Sequence, residues 1–328
     1  MPVFINTNIR GGFCAKIDEL VCLLSQLSVD VALLTETWLH AGISEELTLI
    51  PHYVTYRNDR SDGRQGGGLA FVVREDLPCT LMRQYCCDQV ETLWLLYHQA
   101  YMPKSISHVL IGGVYHPPNA DNKLMISHIM DCLDQVSKQH PNLGVIILGD
   151  FNSLPDTELR SYPLRQVVTK QTRGQSILDK IFTNISEWFL PPTILPSVTK
   201  SDHDVVLLNP TNSRPKVNGF HKISRRRSSD PNGKAVLAEA LKKYNWNWLF
   251  NLQSGSEMVE GFYSAVVALL DKYLPVTEHQ VYSSDKPWVT PKFKRLIRCR
   301  QYAFKVGKVA EYRRLRNQIQ RLGKKNFD

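Results

Sequence analysis

Residues 145–152 read VIILGDFN, an apolar run that stops abruptly at Asp150 and Asn152. A short continuous apolar run bounded by turn-forming residues reads as a strand buried on both faces. A carboxylate placed where such a strand leaves the core is costly to bury and points to function. The same arrangement recurs on either side. FINTN at 4–8 ends on Asn8, and VALLTET at 31–37 carries Glu36. VLIGGVYHPPN at 109–119 carries Tyr115 and Asn119, and LDKIFTN at 178–184 opens on Asp179. SDHDVVLL at 201–208 is led by Ser201, Asp202 and His203. Gathered at one end of a pair of sheets, these groups would make a site for a divalent metal and a phosphodiester.

The spacing predicts strands over Val3–Asn8, Val31–Thr35, Tyr53–Arg57, Gly68–Arg74, Thr92–His98, His108–Tyr115, Val145–Gly149, Lys180–Thr183 and Val205–Leu208. Apolar residues at helical spacing predict helices over Lys16–Leu27 and Asn122–Lys138. Many strands with helices outside them read as an α/β chain, a two-sheet β-sandwich flanked by helices. This domain is expected over residues 1–210. A Ser/Asn/Pro/Arg-rich linker follows at 211–233, with the basic run Arg225-Arg226-Arg227. A basic helical region is expected over 234–328, with helices at Ala235–Tyr244, Met258–Tyr273 and Pro291–Leu322, the last broken at Gly307.

Charge is divided unevenly. Residues 1–210 hold 16 Lys+Arg against 22 Asp+Glu, while residues 211–328 hold 24 against 9. A basic segment attached to an acidic domain suggests a polyanionic partner. Hydrophobic content of 43% supports a substantial core. No run reaches the roughly 18 apolar residues of a membrane span, and the start, MPVFINTN, lacks the features of a signal peptide. The seven cysteines are odd in number and scattered, with Cys86 and Cys87 adjacent. That pattern argues against a disulfide framework and for a reduced, intracellular compartment. Gly66-Gly67-Gly68 lacks the spacing of a phosphate-binding loop and reads as a tight turn into a strand. Arg57, Arg60 and Arg64 near it could contact a nucleic-acid backbone.

The ordered set Asn8, Glu36, Tyr115, Asp150–Asn152, Asp179 and Ser201–His203 resembles the endonuclease/exonuclease/phosphatase superfamily. ETWL, GVYHPPN and LDKIFTN resemble its LINE-type (non-LTR) retrotransposon branch most. DKPWVTPKFKRLIRCR and YRRLRNQIQRLGKKNF resemble the connector toward a reverse transcriptase, and no YxDD or FADD polymerase motif is present. The resemblance implies a four-layer, DNase-I-like fold and a metal-dependent DNA-nicking endonuclease, truncated or degenerate, that leaves a 3′-hydroxyl. It implies DNA as partner, element RNA for the basic tail, no membrane, and nuclear access.

By resemblance Glu36 holds the metal, Asp202 is the second candidate ligand, and Asn8 helps position the ion. An oxygen-only donor set suits Mg²⁺, with Mn²⁺ as a substitute. Asp150 is implied as the water-activating base and Asn152 as a stabiliser of the transition state. An extended backbone would put these two on one face, whereas an Asx-turn is the plainer reading of the same residues. Asp179 is expected to orient His203, and Tyr115 to contact phosphate or the leaving group. Asn119, Thr172, Arg173, Arg10 and Ser201 complete the substrate-binding set, Ser201 by orienting its loop. Repair enzymes carry N-x-D-G where this chain has Asn8-Ile9-Arg10-Gly11, and Arg10 cannot ligate a cation. An apurinic repair endonuclease, a lipid phosphodiesterase of the same superfamily and a non-catalytic relic are the alternatives.

Overall fold

The computed structural model describes residues 1–61, 66–87, 89–99, 102–198, 201–212, 221–228, 230–282 and 289–324. Arg64, Lys286 and residues 213–220 and 229 of the expected linker lie outside the described residues. The chain divides into one compact unit of Met1–Val217 with Lys286–Asp328 and a second of Asn218–Asp285.

The first unit opens with β1 (Phe4–Asn8), α1 (Phe13–Leu27), β2 (Val31–Thr35), β3 (Tyr53–Asn58) and β4 (Leu69–Arg74). It continues with β5 (Cys79–Leu81), β6 (Glu91–Tyr97), β7 (Val109–Tyr115), α2 (Asn122–Gln139) and β8 (Gly144–Asp150). Then come β9 (Arg165–Gln166), β10 (Asp179–Thr183), β11 (Thr193–Leu195) and β12 (Val205–Leu208). One six-stranded sheet has the order β11-β12-β1-β2-β4-β3 and the other β5-β6-β7-β8-β10-β9. Each sheet is built round one parallel crossover. β1 and β2 pair in parallel with α1 between them in sequence, as do β7 and β8 with α2. Parallel neighbours finish at the same edge, so Asn8 pairs with Thr35 and Tyr115 with Asp150.

Period-two alternation sorts the strand side chains into layers. Val31 and Leu33 join Phe71, Leu95, Ile111, Ile146 and Leu148 in the core between the sheets. Ala32 and Leu34, on the other face of β2, meet Ile17, Leu20 and Leu24 of α1. Leu110 and Ile147 meet Ile126, Ile129 and Leu133 of α2 in the same way. The result is the expected four-layer, DNase-I-like α/β fold. The expected strands are found with ends shifted by about a residue, which is ordinary for such boundaries. The short edge strands β5, β9 and β11 were not anticipated.

The C-terminal segment departs from expectation. Helices α5 (Pro291–Lys305) and α6 (Val309–Lys324) flank Gly307, whose φ of +72° turns the chain. They belong to the sandwich unit rather than to an appended region. Val289, Phe293, Ile297 and Ile319 pack on Cys22 of α1. The Arg300 guanidinium, 2% exposed, pairs with Glu19 of α1, 6% exposed, and the Tyr312 and Ser197 hydroxyls are 3.1 Å apart. A basic helix with one apolar stripe has docked where sequence reading had placed it beyond a linker.

In the second unit, β13 (His221–Arg227) and β14 (Val276–Tyr282) form an antiparallel ladder that encloses α3 (Pro231–Lys243) and α4 (Gly255–Tyr273) in sequence. The expected linker therefore contains a strand and the start of α3, and Arg225 and Arg227 pair with Glu278 and Asp271. Among the described residues no helix is long and apolar enough to cross a membrane.

Candidate active site

The chemistry-bearing residues converge where β1, β2, β7 and β8 end and β10 begins. The two sheets are fastened there by β1, whose alternate asparagines both reach across. Asn6 Nδ2 donates to the Gly149 carbonyl (3.0 Å) and Asn8 Nδ2 to Asp150 Oδ2 (2.9 Å). Gly149 is required by close approach, since a Cβ on it would lie 1.9 Å from the Val114 carbonyl oxygen.

Asp150, Asp179 and His203 form a buried cluster, exposed by only 1%, 0% and 2%. Asp179 Oδ2 lies 2.8 Å from His203 Nδ1, and Asp150 Oδ2 lies 3.9 Å from His203 Nε2. Burial, reinforced by the charge of Asp179, pushes the Asp150 carboxyl up to about 6, against the pull of His203, Asn8 and the Asn152 amide. Burial opposes charge on His203, but its bond to Asp179 and the two carboxylates outweigh that and raise its pKa above the ordinary value. The ligand atoms of the three lie within 4.8 Å of one another, so the cluster could hold a metal ion.

Glu36 stands on the first sheet, beyond β2, in the left-handed region at φ +52°. Such a conformation costs a non-glycine residue on the order of 1 kcal/mol and marks a constrained site. Its Oε1 accepts from Asn8 Nδ2 (2.8 Å) and from the Tyr115 hydroxyl (3.2 Å). Burial, with the charges of Glu36 and Asp150, raises the pKa of Tyr115, so the phenol keeps its proton. Asn8 thus bridges Glu36 and Asp150. Its Oδ1 accepts from the Arg10 backbone N–H (2.9 Å).

Other expectations need correction. The backbone does not stay extended after Asp150. Asn152 has φ +44°, its N–H donates to Asp150 Oδ1 (3.1 Å), and its amide donates to the His116 carbonyl (2.8 Å). The Asx-turn and the site are the same feature. Thr172 is fully buried, and its hydroxyl oxygen accepts from the Leu178 and Asp179 N–H groups (3.1 Å each), which fixes Asp179 instead of meeting phosphate. Ser201 Oγ donates to the Asn8 carbonyl (2.5 Å) and accepts from the His203 N–H (3.1 Å), tying the histidine loop to β1. Asp202 is not beside Glu36 in the bonding pattern. It binds Arg173 through Nη2 (2.7 Å) and Nε (2.8 Å), and Arg10 lies 3.5 Å away. Burial would raise its pKa, but its own backbone N–H and Arg173 hold it below the ordinary carboxylate range. Asn119 is exposed on the turn after β7.

Lys16 escaped sequence reading, and Arg60, expected as a possible backbone contact, is instead engaged within the protein. Lys16, at the start of α1, donates to the Ile9 carbonyl, and burial lowers its pKa to about 8. Arg60 pairs with Glu91 and lies 5.9 Å above the Tyr115 ring, while Glu91 Oε2 accepts from the Gly68 N–H (2.6 Å). Lys16 fits an amphipathic helix and carries no signal, whereas Arg60 was visible only as one of several arginines.

The model of the Endonuclease/Exonuclease/phosphatase family matches residues 5–203. The endonuclease domain of TRAS1, a telomere-specific non-LTR retrotransposon, is similar in structure with a TM-score of 0.50 and 11% identity, over 65% of this chain and 100% of that one. The AP endonuclease LMAP from Leishmania major is similar with a TM-score of 0.50 and 13% identity, over 65% of this chain and 88% of that one. At such identities these likenesses speak for the fold alone. The search of curated proteins finds no match. The family match runs from β1 to the histidine of the buried cluster, and on that span the chain belongs to the endonuclease/exonuclease/phosphatase family, as a phosphodiesterase with a buried Asp/Asp/His site.

Proposed function

We propose that the protein is a Mg²⁺-dependent endonuclease of the LINE-type retrotransposon kind that nicks one DNA strand and leaves a 3′-hydroxyl. The observation that carries this reading is the Asn8 bridge, which binds Asp150 of the buried acid–base cluster, on the second sheet, to Glu36 on the first. Asp150 accepts the proton of the attacking water, a task suited to a carboxyl raised toward neutrality. His203, held protonated by Asp179, donates a hydrogen bond to a non-bridging phosphate oxygen as charge develops there. Tyr115 and the Asn152 amide stand beside the same oxygens. Arg10 and Arg173 line the outer rim, where they hold the flanking backbone.

The donor chemistry fits a hard divalent cation. Glu36 has no ion-pair partner among the described residues, and its neighbours donate only to Oε1. Within the buried cluster, His203 Nδ1 already shares a proton with Asp179. Glu36 is therefore the better holder of the ion, which when bound supplies Lewis-acid stabilisation of phosphate charge. Relaxation of supercoiled plasmid is expected with Mg²⁺ or Mn²⁺ and is lost on chelation. Undiminished nicking in excess chelator would sink this mechanism. Abasic duplex run in parallel separates nicking from repair, because a strong preference for the abasic site would favour an apurinic endonuclease.

The docked helices extend the polyanion surface. Lys292, Arg295 and Arg298 of α5 and Arg313, Arg314 and Arg321 of α6 are exposed, and their buried neighbours Ile297, Leu315 and Ile319 anchor the helices. Arg313→Glu with Arg314→Glu is expected to weaken DNA binding about tenfold and to flatten its salt dependence, since each lost phosphate contact removes about 0.9 from the log–log slope. Unchanged affinity across a salt series would assign these helices a purely structural part.

A further inference from the structure

Trp38 is 47% exposed, two residues beyond Glu36. An indole left half in water forgoes much of what aromatic burial offers, yet this ring is held fast. Its backbone is left-handed, at φ +55°. Its N–H donates to the Gly67 carbonyl (3.0 Å), and the preceding Thr37 N–H to that of Gly68 (3.3 Å). The ring lies against Gly11, where a Cβ would come 2.2 Å from Trp38 Cδ2. Its Nε1 is 3.5 Å from the position a Cβ would take on Gly66. Gly11 is bonded in turn to the Glu36 carbonyl (2.6 Å).

The triple glycine thus has a use that tight-turn chemistry alone leaves unexplained. Gly66, Gly67 and Gly68 all have positive φ, and a Cβ on Gly67 or Gly68 would strike Arg60 or Thr37. The two glycine loops clear a seat for an indole and clamp its backbone. Arg10, whose side chain is 58% exposed, precedes Gly11 on the same loop. A rigid exposed aromatic ring, an exposed guanidinium and a metal-binding carboxylate on adjoining turns match the needs of one nucleotide: a base to stack and a phosphate to pair.

We propose that Trp38, seated on Gly11 and Gly66, is the stacking platform for a nucleobase next to the scissile phosphate, so that the site takes base-bearing phosphodiesters. The inference rests on the nucleic-acid reading above. The test compares wild type, Trp38→Ala and Trp38→Phe on a duplex oligonucleotide with Mg²⁺, with melting curves to confirm folding. Losing one base–aromatic stack corresponds to roughly a ten- to hundredfold effect. Trp38→Ala should raise KM by that factor with little change in kcat, and Trp38→Phe should keep most of the affinity. Replacing single nucleotides with a base-less tetrahydrofuran residue should find one position that causes the same loss. At that position Trp38→Ala should add nothing further. An unchanged KM, a fall in kcat instead, or additive losses at every position would overturn the proposal. If wild type cleaves no DNA, the endonuclease reading fails by itself. Stacking is then judged by oligonucleotide anisotropy in chelator, where equal affinities of wild type and Trp38→Ala would overturn it.

Discussion

Replacing Asp150 by Asn is expected to lower single-turnover nicking by about 10²–10⁴-fold, the range for losing a positioned general base. The substitution keeps the shape of the side chain. It also imitates the protonated acid that burial favours, Asp150 being pushed up to about 6. Because the amide turns one of the two acceptor oxygens, met by Asn8 Nδ2 and the Asn152 N–H, into a donor, a modest fall in melting temperature is expected, and a folded variant with the full loss of rate isolates the chemistry. His203→Gln should cost at least about a hundredfold, because Asp179 would no longer face an imidazolium to hold against phosphate. Near-normal rates in either variant would show that the assigned role belongs to another group.

The second large effect concerns stability. Arg300→Ala takes the guanidinium from a buried Glu19, and breaking such a pair from one side costs about 3–5 kcal/mol. Lys16 also acts on Glu19, so the lower end is expected. About 3 kcal/mol should lower the melting temperature by roughly 6–12 °C for a unit of this size. The paired change Glu19→Met with Arg300→Met removes both charges and should recover most of the loss. For the same reason, cutting the chain after residue 210 uncovers Cys22 and Glu19 of α1. An unaltered melting curve for Arg300→Ala would mean that α5 is not held on α1 by this pair.

Sequence reading reached the sandwich because its strands are apolar on both faces and stop at polar residues. The two- and three-residue strands at 79–81, 165–166 and 193–195 carry no period, since their existence depends on the neighbour they pair with. Glu36, Asp150, Asp179 and His203 were legible because each follows or precedes an apolar run. Thr172 was visible as a residue but not as a prop, because the backbone N–H groups it satisfies are defined only by the fold. Asp202 looked like a ligand until Arg173 was placed against it. The docking of α5 and α6 was hidden in a stretch where fourteen Lys and Arg residues between Lys286 and Lys325 read as a surface for a polyanion. Among the described residues, Arg300 is turned inward.

The first strand sits in mid-sheet, with β2 on one side and β12 on the other, and pairs Phe4 with Leu208. The carbonyl of Asn8, whose side chain joins the two carboxylate groups, therefore waits for Ser201, 193 residues further along the chain. Long-range pairing of this kind is slow to form. The nascent chain accordingly carries the site's residues before it carries the site, which is assembled only once the segment at 201–208 has been made.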